Sequence, residues 1–291
     1  MKKTLATLTT CLLACSPVFS GHAAASPAPA PAPAACPEIA VVAARGSDQN
    51  AAQGEYLGPQ TYGTRTSNGY EGRNFISFFH FVDSRHPGLM DKVQVIGLDE
   101  EQYPAAMNVP PLAKEGEVLS FGQVLERMHF IVTHYSLGQM AWGTTFGLLD
   151  SLRRGEENAP GVVAEYERRT GCKPRYIVAG YSQGAIVATS LEKPLAAQGK
   201  LHGAFYLGNP LHRPAGMSVW YPHQLAPLPP HARIDYCLAG DFSCTLTPEN
   251  ALLALRDKAK LHASYFQDAA AGNPTAQDIA VADRFASLIR G

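Results

Sequence analysis

The chain has 291 residues, of which 46% are hydrophobic and 17% charged, a balance that supports one large domain with a buried core. Its 24 basic and 25 acidic residues leave a formal net charge of −1, so no basic face for nucleic acid and no charged interaction tail stands out. At the start, Lys2 and Lys3 precede a short apolar stretch from Leu5 to Phe19. Small residues then follow at Gly21-His22-Ala23 and Ala23-Ala24-Ala25. This is the pattern of a cleaved signal peptide over residues 1–25, and the stretch is too short and Thr-rich to be a good membrane-spanning helix. It predicts a secreted, extracellular protein. Leu12-Leu13-Ala14-Cys15 offers a competing lipobox, which would leave the chain lipid-anchored through Cys15. Residues 26–35 are almost all Ala and Pro, an extended spacer that cannot bury a core, so the folded domain is placed at 36–291.

Within that domain Ile39–Ala44 reads as a buried strand ending at Arg45-Gly46-Ser47. Further strands are predicted at Lys92–Gly97, Tyr176–Ala179, His202–Leu207 and Ile234–Leu238. Helices are predicted at Asn74–Val82, Leu137–Arg153, Val162–Thr170, Ala185–Ala197 and Ala276–Arg290. Strands alternating with helices predict an α/β fold: a three-layer α/β/α sandwich around a central, mostly parallel five-stranded sheet.

Leaving Cys11 and Cys15 in the leader, four cysteines remain: Cys36, Cys172, Cys237 and Cys244. In an exported chain an even number implies two disulfides, with three connectivities open. Cys36 and Cys172 each precede a strand, and neighbouring parallel strands bring such starts together. Cys237 and Cys244 suit a small closed loop. The predicted pairing is therefore Cys36–Cys172 and Cys237–Cys244. A zinc site is the rival use, but no C-x-x-C or H-E-x-x-H spacing is present.

Gly180-Tyr181-Ser182-Gln183-Gly184 is a G-x-S-x-G pentapeptide between a strand-like run and a helix-like run. At such a strand-to-helix turn a serine hydroxyl is displayed as a nucleophile, and the glycines remove Cβ atoms that would clash. The bland alternative is a tight turn with an idle serine. A nucleophilic serine needs a base, an acid to orient it, and donors for the oxyanion. The chain order serine, acid, histidine selects Asp241, inside the Cys237–Cys244 loop, and His262. Asp235 lies within a strand and is expected to pair locally, while Glu249 reads as a helix start. His212, His223 and His231 break the order. Oxyanion donors are expected from the backbone N–H of Gln183 and from the loop after the first strand, where Ser47 adds a hydroxyl. That loop also reads as an ordinary strand-ending turn.

Taken together, these residues resemble the cutinase family of serine esterases. The resemblance rests on Cys36-Pro37 with Val41–Ser47, on Gln102-Tyr103-Pro104-Ala105, on Gly180–Ala185 with its Gln183, and on Cys237–Cys244 around Asp241. It implies Ser182 as nucleophile, His262 as base, Asp241 as orienting acid, and Ser47 with Gln183 at the oxyanion. The domain is longer than a compact member of that family, with the excess near 48–91 and 107–135. Met128-His129-Phe130-Ile131-Val132 in the second stretch is apolar enough for a lid or acyl-chain wall, or for an extra packing helix. Gly208-Asn209-Pro210 also resembles envelope mycolyl ester hydrolases related to cutinases.

The function expected is a serine esterase acting on lipid or polyester-type carboxylic esters through an acyl-enzyme. Metal and organic cofactors are not expected. A monomer is expected, with an ester substrate as partner, no nucleic acid, and peripheral contact with a membrane or cell wall. Envelope acyl-ester hydrolysis or acyl transfer is the alternative. A non-catalytic envelope-binding protein is a third reading, and peptidase or thioesterase chemistry uses the same triad.

Overall fold

Six consecutive apolar residues, Ile39–Ala44 (β1), suit a strand covered on both faces rather than an amphipathic edge. All six are buried. The structure is a computed structural model that describes residues 35–107, 137–213, 216, 225–257 and 259–291. The expected signal peptide, the lipobox at Cys15, nearly all of the spacer, His223 and almost the whole stretch expected at 107–135, with its lid, lie outside the described residues.

A short antiparallel pair, Thr61–Tyr62 (β2) and Arg65–Thr66 (β3), and a helix, Arg73–Arg85 (α1), follow β1. Next come Val93–Gly97 (β4), Leu137–Thr170 (α2) and Arg175–Tyr181 (β5). Gln183–Thr189 (α3), Glu192–Ala197 (α4), Leu201–Leu207 (β6) and Arg233–Tyr236 (β7) continue the chain. It ends through Pro248–Asp257 (α5), Lys260–Ala263 (α6), Gln267–Ala270 (α7) and Ala276–Arg290 (α8).

The central sheet has the order β4-β1-β5-β6-β7, with every pairing parallel. Successive residues of β1 point to opposite faces. Ile39, Val41 and Ala43 join a core with Phe75, Phe78 and Phe79 of α1 and Phe285 of α8. Ala40, Val42 and Ala44 join a second core with Leu152, Val163 and Tyr166 of α2 and Val187 of α3. The fold is thus a three-layer α/β/α sandwich. Phe78 anchors the first core, its ring centroid 4.4 Å from Phe205, 4.7 Å from Phe266 and 5.0 Å from Phe285. Burying one such ring contributes roughly 1.5–3 kcal/mol.

After β1 the chain adds β4 on one side, and β5 then pairs on the other. Loops leaving the carboxyl ends of β1 and β5 therefore diverge at a switch point, where open α/β sheets leave a crevice. The loop Arg45–Asp48 and Ser182 both stand there.

Two helices differ from the sequence expectation. Leu137–Arg153 and Val162–Thr170 form one 34-residue helix that runs through Pro160. Proline removes one backbone donor, but Leu152, Ala159, Val163 and Tyr166 keep a single buried stripe in phase across it. Conversely, the run expected at Ala185–Ala197 is divided. The Thr189 hydroxyl donates to Ile186 O at 2.6 Å and the Ser190 hydroxyl to Val187 O at 2.7 Å, local bonds that compete with helix continuation. The expected disulfides are both formed, Cys36–Cys172 with Cα atoms 5.4 Å apart and Cys237–Cys244 with 6.0 Å.

Candidate active site

Ser182 lies between the end of β5 and the start of α3 with φ 54° and ψ −124°, a left-handed backbone that a serine adopts only under constraint. The constraint is close packing of backbone on backbone. A Cβ on Gly184 would lie 2.1 Å from Ala44 O, and one on Gly180 2.4 Å from Ala185 Cα. The turn is pinned further by Ser182 N–H donating to Leu207 O at 3.0 Å. Gln183 opens α3, so its N–H has no partner within the helix.

The Ser182 hydroxyl is 2.8 Å from His262 Nε2. On the other side of the ring, Nδ1 is 3.0 and 2.9 Å from the two oxygens of Asp241. A carboxylate at Nδ1 draws the ring proton there and leaves the Nε2 lone pair facing the serine. Asp241 is 1% exposed. Burial alone would raise its carboxyl, but His262, the Tyr265 hydroxyl at 2.6 Å and Ser243 N–H at 3.0 Å outweigh that and hold it below the usual carboxylate range.

The histidine is held from several directions. The Tyr181 ring stacks on it at 5.0 Å, and the Tyr181 hydroxyl donates to His262 O at 2.8 Å. Gly208, with φ 50°, passes behind it, where a Cβ would meet His262 Cε1 at 2.8 Å. Residues with left-handed backbone bracket its segment at Ala259 (φ 56°) and Phe266 (φ 59°).

Opposite the serine, the Ser47 hydroxyl is buried without a hydrogen-bond partner among the described residues. It shares with Tyr181, Ser182 and His262 a cleft of about 400 Å³. Asp48, Gln53, Glu55 and Arg73 also line this cleft, and Arg73 pairs with Glu55. The loop carrying Ser47 is tied to the nucleophile turn through buried side chains. Arg45 donates to Leu98 O, and to Tyr103 O at 2.7 Å. The Tyr103 hydroxyl lies 3.1 Å from Arg45 O and 2.8 Å from Gln183 Oε1, to which it can donate, while Gln183 Nε2 donates to Ala106 O at 3.2 Å. Burial lowers the Arg45 guanidinium and raises the Tyr103 hydroxyl.

No family model matches the sequence, and no curated protein matches it. Among solved structures the fold is similar to Trichoderma reesei cutinase in complex with a C11Y4 phosphonate inhibitor. That likeness has 16% identity and a TM-score of 0.37, covering 81% of this chain and 77% of the other.

The remaining sequence candidates fall elsewhere. Asp235 sits 3.0 Å from His212 Nδ1 and accepts from Asn209 Nδ2 at 3.2 Å, while His262 takes its carboxylate from Asp241. His231 is exposed. Glu249 lies in the first turn of α5, within the span between Asp241 and His262. Sequence reasoning missed Tyr265, Ser243, Gln49 and Asn74. Tyr265 is the one with a local signal, three residues after the histidine.

Proposed function

We propose that the chain is a serine hydrolase of carboxylic esters working through an acyl-enzyme. The observation that carries this reading is the continuous contact Ser182 Oγ–His262 Nε2–Asp241, at 2.8 and 2.9 Å, on a left-handed serine turn. His262 takes the Ser182 proton as Oγ bonds to the ester carbonyl carbon. The oxyanion so formed is met by Gln183 N–H and the Ser47 hydroxyl. The protonated histidine then gives its proton to the leaving alcohol, and the acyl group remains on Ser182. Water, deprotonated by the same histidine, attacks the acyl carbon and releases the acid and the free serine. Asp241 keeps its charge throughout and stabilises the imidazolium.

The described wall of the cleft carries Asp48, Gln53, Glu55 and Arg73, so on that side it suits a short acyl group or a hydroxylated alcohol half better than a long alkyl chain. Export is part of the proposal: the leader pattern and two disulfides both fit an oxidising compartment. Turnover of p-nitrophenyl esters from acetate to palmitate tests the reading. The expected result is hydrolysis that is fastest at short chains, together with covalent labelling by an organophosphonate. Both are abolished by Ser182→Ala. Turnover that survives this substitution would refute the assignment.

A further inference from the structure

Acyl transfer at Ser182 requires the oxyanion loop and the histidine segment to face each other at a fixed spacing. They come from opposite ends of the domain, and no strand pairing joins them. A line of hydrogen bonds does. Gly46 N–H donates to Gln49 Oε1 at 3.1 Å, and Gln49 Nε2 donates to Asn74 Oδ1 at 2.7 Å. Asn74 Nδ2 then donates twice, to Ala263 O at 2.9 Å and to Tyr265 O at 3.1 Å. The two acceptors lie one and three residues beyond His262, and the first donor lies one residue before Ser47. Gln49 is 9% and Asn74 0% exposed.

We propose that Gln49 and Asn74 are positioning residues: together they form a strut through α1 that sets the spacing between the oxyanion donors and the base. The proposal rests on the serine-hydrolase reading. Among the described residues, every side-chain hydrogen bond that the pair makes outside itself goes to one of the two loops. Apolar side chains of similar shape would fill the same space, but they would leave Gly46 N–H in one loop and Ala263 O and Tyr265 O in the other without these partners, so the pair ties the two loops together as well as filling the core. Asn74 and α1 belong to the stretch between β1 and β4, which thereby gains a role in the chemistry besides lining the cleft.

The test compares Gln49→Leu, Asn74→Leu and the double variant with the wild type and with Ser182→Ala, using p-nitrophenyl butyrate and thermal melting. In each strut variant kcat is expected to fall roughly ten- to a hundredfold, with KM changed by less than about twofold, because the ester still binds while the donors and base are misaligned. The double variant should lose no more than the worse single one, since the two residues act as one unit. Unchanged kcat in variants that melt normally overturns the strut, and so do losses that multiply in the double variant. If the leucine variants do not fold, Gln49→Met carries the same expectation, because it changes only the outermost member at nearly constant length. A wild type without turnover overturns the hydrolase reading itself, whereas turnover lost in Ser182→Ala but intact in the strut variants overturns the strut alone.

Discussion

The nucleophile half and the histidine half of the site are built by different means. Ser182 is placed by backbone: β5 is buried in the middle of the sheet, α3 follows at once, and Gly180 and Gly184 press directly on neighbouring main chain. His262 sits on α6, a four-residue helix, and side chains hold it there: the Tyr181 ring and hydroxyl, the Asn74 amide beyond it, and Asp241 fixed by Tyr265. Position on the first side is a property of secondary structure. On the second it is a sum of tertiary contacts, each removable without unfolding the sheet.

Asp241→Asn presses hardest on that difference. It keeps the shape of the histidine half but removes the charge that selects the Nδ1–H tautomer, so kcat is expected to drop about 10⁴-fold with the fold retained. A loss below tenfold would break the comparison. Stability follows a definite sign. The Asp241 carboxyl is depressed in the folded state, so its contribution is present above the unfolded value of about 4 and is lost as pH falls below it. Melting across pH should therefore show the gap between wild type and variant closing in acid.

The two disulfides give the next largest effect. Cys36–Cys172 closes a separation of 136 residues before β1 and β5, at the sheet edge away from Ser182, while Cys237–Cys244 closes 7 residues around Asp241. Chain entropy assigns about 5 kcal/mol to the first and about 2.5 kcal/mol to the second. Replacing the first pair with serines should lower the melting temperature the more, with kcat unchanged. Replacing the second should lower kcat as well, and equal kinetics in both would show that the short loop does not hold the acid. The smallest effect is expected from Tyr265→Phe, which deletes the 2.6 Å donation to Asp241 Oδ2. A drop of about tenfold in kcat at constant KM is expected from steady-state kinetics. No change would mean that the acid is held without it.

This division also explains what was legible in the sequence. The five strands, the parallel α/β architecture and the serine turn are local patterns, since an apolar run or a G-x-S-x-G between strand and helix is written in contiguous residues. Asp241 and His262 come within reach through chain order and one cysteine spacing, and the distances bring them to Ser182. The strut has no such trace. Gln49 and Asn74 are ordinary polar residues whose meaning depends on α1 lying against a segment nearly 190 positions away in the chain. The continuity of α2 through Pro160 has a related cause: a local helix breaker is overruled by a stripe of packing that only the fold reveals.

Left-handed backbone at residues other than glycine occurs at five described positions, Asp48, Ala105, Ser182, Ala259 and Phe266. One is the serine. Asp48 adjoins Ser47 and donates its N–H to Ala105 O at 2.6 Å, while the last two flank the histidine segment. Each such residue costs on the order of 1 kcal/mol or more relative to a relaxed turn. The tension in this molecule is therefore gathered around one crevice, and the aromatic core and parallel sheet act as the frame that keeps it from relaxing. Stabilising the frame elsewhere leaves the crevice as it is, whereas relieving its own backbone would trade away the geometry that makes it a site.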